Sequence, residues 1–110
     1  MSDRIKLIEE MLDKNPTDNF LSYAAALEYR KMGKADKAIE IIEGIIARDE
    51  AYLGGYYQLG KLYEEKNKTK KAIEIYRKGI AIAKKQNDQK TLGELSEAIM
   101  IIDEDYDGAW

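Results

Sequence analysis

Apolar residues recur along much of this chain with the period of a helix. In the decapeptide KAIEIIEGII, residues 37–46, Ala38, Ile41, Ile42 and Ile45 follow an i, i+3, i+4, i+7 spacing. That spacing puts four apolar side chains on one face of an α-helix. The segment KAIEIYRKGI at 71–80 repeats six of those ten letters 34 residues later, with Ala72, Ile75, Tyr76 and Gly79 in the same phase. Upstream, Tyr29 precedes Ala38 by nine residues, as Tyr63 precedes Ala72. Ala25-Ala26 and Leu59-Gly60 bring small residues to where two helix backbones would approach closely. Polar breaks fall at matching places, in RKMGKADKA and EEKNKTKKA. Gly33 and Asn67 suit helix C-termini there, and Asp36 and Thr69 suit caps of the helices that follow. The pattern predicts helix, short turn, helix, written twice, over 19–52 and 53–86. A 34-residue helix–turn–helix period marks a stacked repeat, because one such pair cannot cover its own apolar face.

Composition narrows the chemistry. The 110 residues are 45% hydrophobic and 35% charged, with one Pro and eight Gly, too apolar and too little broken for a disordered chain. Without Cys or His, the chain has no disulfide, thiol nucleophile, imidazole base or thiolate or imidazole zinc site. No calcium-loop pattern is present, and the chemistry expected needs no metal and no cofactor. Acids sit among the apolar residues of MSDRIKLIEEMLDKN, unlike a signal or transit peptide. No apolar run approaches the ~20 residues that cross a bilayer. A soluble cytoplasmic protein is the expectation.

The repeated unit resembles the tetratricopeptide repeat, whose signature is W-x2-L-G-x2-Y, then an Ala, an aromatic four residues on, and a closing Pro. The second copy supplies Tyr56, Leu59, Gly60, Tyr63, Ala72 and Tyr76; the first supplies Ser22, Ala25, Ala26, Tyr29, Ala38 and Ile42. Glu50 and Lys84 stand where the Pro would be. RIKLIEEMLDKNPTD resembles the second helix of a preceding unit ending at Pro16. TLGELSEAIMII resembles the first helix of a following one, with Leu92, Leu95, Ser96 and Ile99 in the signature phase. This helix comes 36 residues after its counterpart, so two extra residues are expected in the loop at Gln86–Gln89, although without the closing Pro the second helix of repeat two could run on through Lys85. The resemblance implies an all-α, right-handed helix-turn-helix solenoid of about six helices. It forms one domain over 1–103: a half-repeat helix at 3–16, repeats at 19–52 and 53–86, and a half-repeat helix at 89–103. An acidic-aromatic tail follows at 104–110.

In the family, the first helix of each unit lines a concave groove. The resemblance therefore nominates Phe20, Tyr23, Ala24 and Leu27, then Tyr57, Gln58 and Lys61, then Lys90, Glu94 and Glu97 as groove residues. Aromatic anchors with polar neighbours suit a peptide segment. Tyr23, Leu27 and Gln58 occupy positions where chaperone-tail adaptors of the family carry Lys or Asn, which argues against that subtype. A non-catalytic protein-interaction module holding a partner peptide is the expected function.

Charge suggests two alternatives. Residues 66–90 hold nine Lys/Arg against Glu74 and Asp88, so that segment is +7 while the rest of the chain is −10, summing to −3. Such a run could neutralise phosphates of a nucleic acid, but a solvated helix face in an acidic chain is the plainer reading. From Glu94 to Asp107 there are six acids and no base, and Trp110 closes the tail. This segment, or apolar residues such as Met100, Ile101 and Ile102 at a repeat end, suits self-association into a homodimer. Glu64/Glu65 and Glu94/Glu97 are the close carboxylate pairs, but adjacent helix residues diverge by about 100°. No nucleophile or phosphate loop accompanies either pair, so no catalytic residue is expected.

Overall fold

The computed structural model describes residues 2–103. Among them are six helices and no strand: α1 Asp3–Lys14, α2 Asn19–Lys31, α3 Ala35–Arg48, α4 Leu53–Glu65, α5 Thr69–Lys85 and α6 Gln89–Ile102. The tail at 104–110 lies outside the described residues. Contacts divide the chain into two compact units, Met1–Asp49 and Glu50–Trp110.

In the first unit α1 and α3 both pack on α2. The Ser2 hydroxyl caps α1 by accepting from the Ile5 N–H at 3.3 Å, and an Asp18 carboxylate oxygen caps α2 by accepting from Leu21 N–H at 3.0 Å. The core takes Ile5 and Ile8 from α1, Leu21, Ala25, Ala26 and Tyr29 from α2, and Ala38, Ile39, Ile42 and Ile45 from α3. The Tyr29 hydroxyl donates to the Glu9 carboxylate, so the aromatic ring is buried with its polar end satisfied.

In the second unit α4 and α6 both pack on α5. Tyr76 is fully buried beside Gly60. A Cβ on Gly60 would fall well inside contact with Tyr76 Cε1 and 2.6 Å from its Cδ1. Gly79 makes the same kind of room, since its Cβ would lie 2.8 Å from Tyr56 Cβ and 2.9 Å from Leu95 Cδ1. Where the family's Pro is missing, the Glu50 carbonyl accepts from the Tyr56 hydroxyl at 2.8 Å, and the Ala51 carbonyl accepts from Gln86 Nε2 at 2.9 Å.

All nine signature residues, Ala26, Tyr29, Ala38, Tyr56, Leu59, Gly60, Tyr63, Ala72 and Tyr76, are buried. Gly33 and Asn67 do end their helices, with φ of 78° and 61°. Asn87 does the same with φ 57°. In each turn two backbone bonds recur: Lys34, Lys68 and Asp88 donate to the carbonyls of Tyr29, Tyr63 and Ala83, and the left-handed residues donate to Arg30, Glu64 and Lys84. This is the Schellman arrangement.

Two local expectations fail. Asp36 and Thr69 do not cap: the capping positions are Lys34 and Lys68, without a side-chain cap bond, and both expected residues lie inside the helices. The Schellman turn uses up three residues, so each helix starts before the residue best suited to cap it. The two extra residues before α6 also lie in the helix and not in the loop. α5 runs 17 residues against 14 for α3, and its exit turn is shorter.

Two predictions follow from this packing. Gly60→Ala should cost about 1–3 kcal/mol through overpacking against Tyr76. The double variant Gly60→Ala/Tyr76→Ile, which copies the Ala26/Ile42 pair of the first unit, should cost less than the sum of its single changes. Urea unfolding of the full cycle measures the coupling, and additive costs would refute the pairing. The second concerns Asp88, whose carboxyl is held below its ordinary 3.8. The Thr91 N–H at 3.0 Å is the main cause, then the Thr91 hydroxyl at 2.8 Å, with a further contribution from Lys90. A depressed carboxyl stabilises the fold above its ordinary pKa and loses that contribution as pH falls through the folded value. The N-terminal turn of α6 should therefore loosen in that acid range, and Asp88→Ala should flatten this part of the acid limb in a pH series of thermal melts.

Candidate peptide-binding clefts

Eight of the ten residues nominated for binding line two clefts, one in each unit. Because the nominated positions on α2 and α4 lie off the buried signature face, folding leaves them at the surface. In the first unit Phe20, Tyr23, Ala24 and Leu27 line a cleft of about 440 Å³ together with Arg4, Glu28 and Lys31. Phe20 is 74% exposed, the most exposed of the large apolar side chains among the described residues. Tyr23, Ala24 and Leu27 are half-buried.

Glu28 was not anticipated. It sits one turn after Ala24 and is only 7% exposed, although it carries a charge. Its carboxylate accepts from the Ser2 hydroxyl at 2.8 Å and faces Arg4 Nε at 3.4 Å and Lys31 Nζ at 3.9 Å. Ser2 thus accepts from the helix backbone and donates to Glu28 with one hydroxyl. The carboxylate is satisfied by that donor and two cations, which is what makes its burial tolerable. Arg4 and Lys31 leave a cationic edge beside the apolar lining.

In the second unit Tyr57, Lys61, Glu94 and Glu97 line a smaller cleft of about 210 Å³ with Ala98 and Ile101. Lys61 Nζ stands 5.4 Å from the centroid of the Tyr57 ring and 3.7 Å from Glu64 Oε2. The Tyr57 ring lies 6.4 Å from that of Tyr76, tilted by 48°. Glu94 and Glu97 are exposed, so this cleft has one cation and two carboxylates around a small apolar lining. Gln58 and Lys90 line neither cleft. A further cleft of about 400 Å³ in the first unit, unforeseen, includes Leu12, Pro16 and Ile41. There Arg48 donates to Asn19 at 3.1 Å and Ser22 at 3.2 Å.

The basic segment lies mostly on α5. Lys70, Arg77 and Lys84, and beside them Lys71, Lys78 and Lys85, recur every seven residues along one exposed stripe. Lys78 pairs with Glu74 at 3.6 Å, and Lys71 lies 5.1 Å from the Tyr63 ring centroid. Among the described residues no cluster of carboxylates is arranged to hold a metal ion, and no helix is long and apolar enough to cross a membrane.

Among the described residues, six helices without a strand, built from repeated hairpins with small residues at the helix contacts, define an all-α fold of the helical-repeat solenoid class. The family model described as tetratricopeptide repeat matches residues 21–52 and 53–86, and the chain belongs to that family. The crystal structure of a tetratricopeptide repeat domain protein from Salinibacter ruber is 39% identical, covers 79% of this chain and 97% of its own, and has a TM-score of 0.74. A solution structure of a Salinibacter ruber tetratricopeptide repeat domain protein, also 39% identical, covers 81% of this chain and 90% of its own with a TM-score of 0.77. The crystal structure of MamA protein is 26% identical with a TM-score of 0.70; the match covers 77% of this chain and 46% of that one. No curated protein matches the sequence.

The tie between Ser2, Arg4 and Glu28 yields a prediction. Glu28→Ala should cost about 1–3 kcal/mol by leaving its hydrogen-bond partner unsatisfied. It should also speed amide exchange in the first turns of α1 more than in α3. Glu28→Gln, which can still accept from Ser2, should cost less. Equal losses for the two variants would show that the tie does not hold α1.

Proposed function

We propose that the chain is a non-catalytic protein–protein interaction module that holds a peptide segment of a partner protein. Repeats of this family generally mediate protein–protein interaction, and the fold is typically a non-catalytic interaction module. The observation that carries the finer reading is Phe20, left 74% exposed beside Tyr23 and Leu27 in a cleft with a cationic edge. A large apolar side chain in a concave setting gains most when a partner covers it. Glu64 supports the absence of catalysis, because it is already engaged by Lys61 and the Tyr76 hydroxyl.

Binding would use surfaces already shaped by folding, so little side-chain order is lost on association. Arg4 and Lys31 at the first cleft favour a segment with an acid beside its apolar anchor. Glu94 and Glu97 at the second favour a basic one. Complementary charge of this kind sets selectivity and encounter rate more than affinity. The α5 stripe is read as a solvated face.

Affinity capture from native lysate tests the proposal. A specific protein should be retained by the wild type and by Lys70→Ala/Arg77→Ala, and lost by Tyr23→Ala/Tyr57→Ala at unchanged helicity. If the tyrosine variant retains the same proteins as the wild type, the clefts are not the binding site. Loss with the α5 variant instead would turn attention to the basic stripe.

A further inference from the structure

The unforeseen cleft of about 400 Å³ in the first unit has a filled counterpart in the second. At the repeat offset of 34 residues, Ser22 corresponds to Tyr56, Pro16 to Glu50, Gly44 to Lys78 and Arg48 to Ile82. The Tyr56 side chain occupies its position in the second unit, and its hydroxyl reaches the Glu50 carbonyl at 2.8 Å. Ser22, 5% exposed, is far shorter. Ile45, where the second unit has Gly79, takes up only the inner end of that room, because a Cβ on Gly79 would meet Tyr56 at its Cβ and Cγ, 2.8 and 3.2 Å away. The outer end stays open, lined by Pro16 with Leu12 and Ile41.

Two further features suit an aromatic guest. Arg48 donates from Nε to Asn19 and from Nη2 to Ser22, so its flat guanidinium is held with a fixed face. An aromatic ring stacks well on such a face. Gly44 lines the cleft from inside α3, although glycine weakens a helix. An added Cβ there would meet only Arg48 Nη1, at an ordinary 3.6 Å. Among the described residues no side chain requires a glycine at that point, and the room it leaves belongs to the cleft.

The rim is acidic. Asp13 and Glu40, both exposed, line it from α1 and α3 against the single cation Arg48. Within four residues of the lining, the first unit adds Glu9, Glu10, Asp18, Asp36, Glu43 and Asp49 against Lys14 and Lys37. Counting all of them leaves the surroundings anionic, which favours a basic residue beside the ring.

We propose that this cleft is a binding site of its own, which takes an aromatic side chain of tyrosine size with a basic residue next to it in a partner's chain. The ring enters where the second unit keeps Tyr56 and stacks on the Arg48 guanidinium, while the neighbouring cation meets Asp13 or Glu40. The site shares no lining residue with either nominated cleft.

NMR titration of the isotope-labelled full chain with acetyl-Lys-Tyr-Lys-amide provides the test. The peptide should shift the Gly44 amide and the Arg48 Nε–H signals saturably. Acetyl-Lys-Ala-Lys-amide should leave both unmoved, and acetyl-Glu-Tyr-Glu-amide should bind about two- to fivefold more weakly for each charge reversed. Gly44→Lys, which copies the residue of the second unit at a position with room for a side chain, should abolish the Arg48 shift at wild-type helicity. Tyr23→Ala/Tyr57→Ala should bind the peptide as the wild type does, so failure of this site and failure of the two nominated clefts are told apart. A tyrosine peptide that moves neither signal, or that binds Gly44→Lys as tightly as the wild type, overturns the proposal. Equal affinity for the Lys- and Glu-flanked peptides overturns the role given to the acidic rim.

Discussion

The second unit is organised by the contact between the Tyr76 ring and the bare backbone of Gly60. A phenol on α5 can be fully buried against α4 only if α4 has no side chain at that point. The consequences reach the surface through a short series of contacts. The Tyr76 hydroxyl donates to Glu64, Glu64 holds Lys61, and Lys61 lies over Tyr57, whose own ring tilts against Tyr76. The second cleft is thus the outer end of a core contact. Its lining is positioned by packing and charge together, without a loop. A second void at Gly79 admits Tyr56 and Leu95, and so seats α6 with Glu94 and Glu97 on its exposed side.

The first unit fills equivalent positions with the bulk exchanged. Ala26 and Ile42 stand where Gly60 and Tyr76 do, and Ser22 and Ile45 where Tyr56 and Gly79 do. In each case a gain on one helix is matched by a loss on the other, which is how a close-packed interior keeps its volume. The exchange also explains why the two clefts differ. The first has no buried tyrosine on α3 beneath it, and it takes its polar edge from α1 and α2 through Arg4, Glu28 and Lys31. Two copies of one pattern therefore offer two chemistries.

Much of this was legible because repetition compares a sequence with itself. The period of 34, the small residues and the left-handed Gly33 and Asn67 all appear twice, and it is the resemblance to the tetratricopeptide repeat that nominates Phe20, Tyr23, Leu27, Tyr57 and Lys61. Helix starts were harder to read. Capping preference favoured Asp36 and Thr69, but backbone bonds from Lys34 and Lys68 to Tyr29 and Tyr63 fix the turn first. The 36-residue spacing shows that two residues are added before α6 but does not say whether helix or loop takes them. Lys84 and Lys85 are good helix formers, and Asn87 supplies the left-handed residue one turn later. Glu28 was invisible for a different reason. An acid in mid-helix reads as exposed, and the groups that satisfy it come from Ser2 and Arg4 on another helix as well as from Lys31 on its own.

That polar tie bears on how α1 finds its place. α1 contributes two buried side chains, Ile5 and Ile8, whereas α2 and α3 bury four or more each. Two isoleucines one turn apart supply burial but define register weakly, since a slide along α2 would exchange one apolar contact for another. Directional contacts do not permit that slide. Ser2 and Arg4 meet Glu28 near one end of α1, and Glu9 meets the Tyr29 hydroxyl farther along. The Arg4 and Lys31 side chains are largely exposed, so their pairing with the buried Glu28 carboxylate adds little stability, and its use is to fix one arrangement among several. On this argument the polar groups set the position of α1, and the isoleucines supply its hold on α2. The same register leaves Arg4 beside the apolar lining of the first cleft, so an interaction that specifies the fold also shapes the surface presented to a partner.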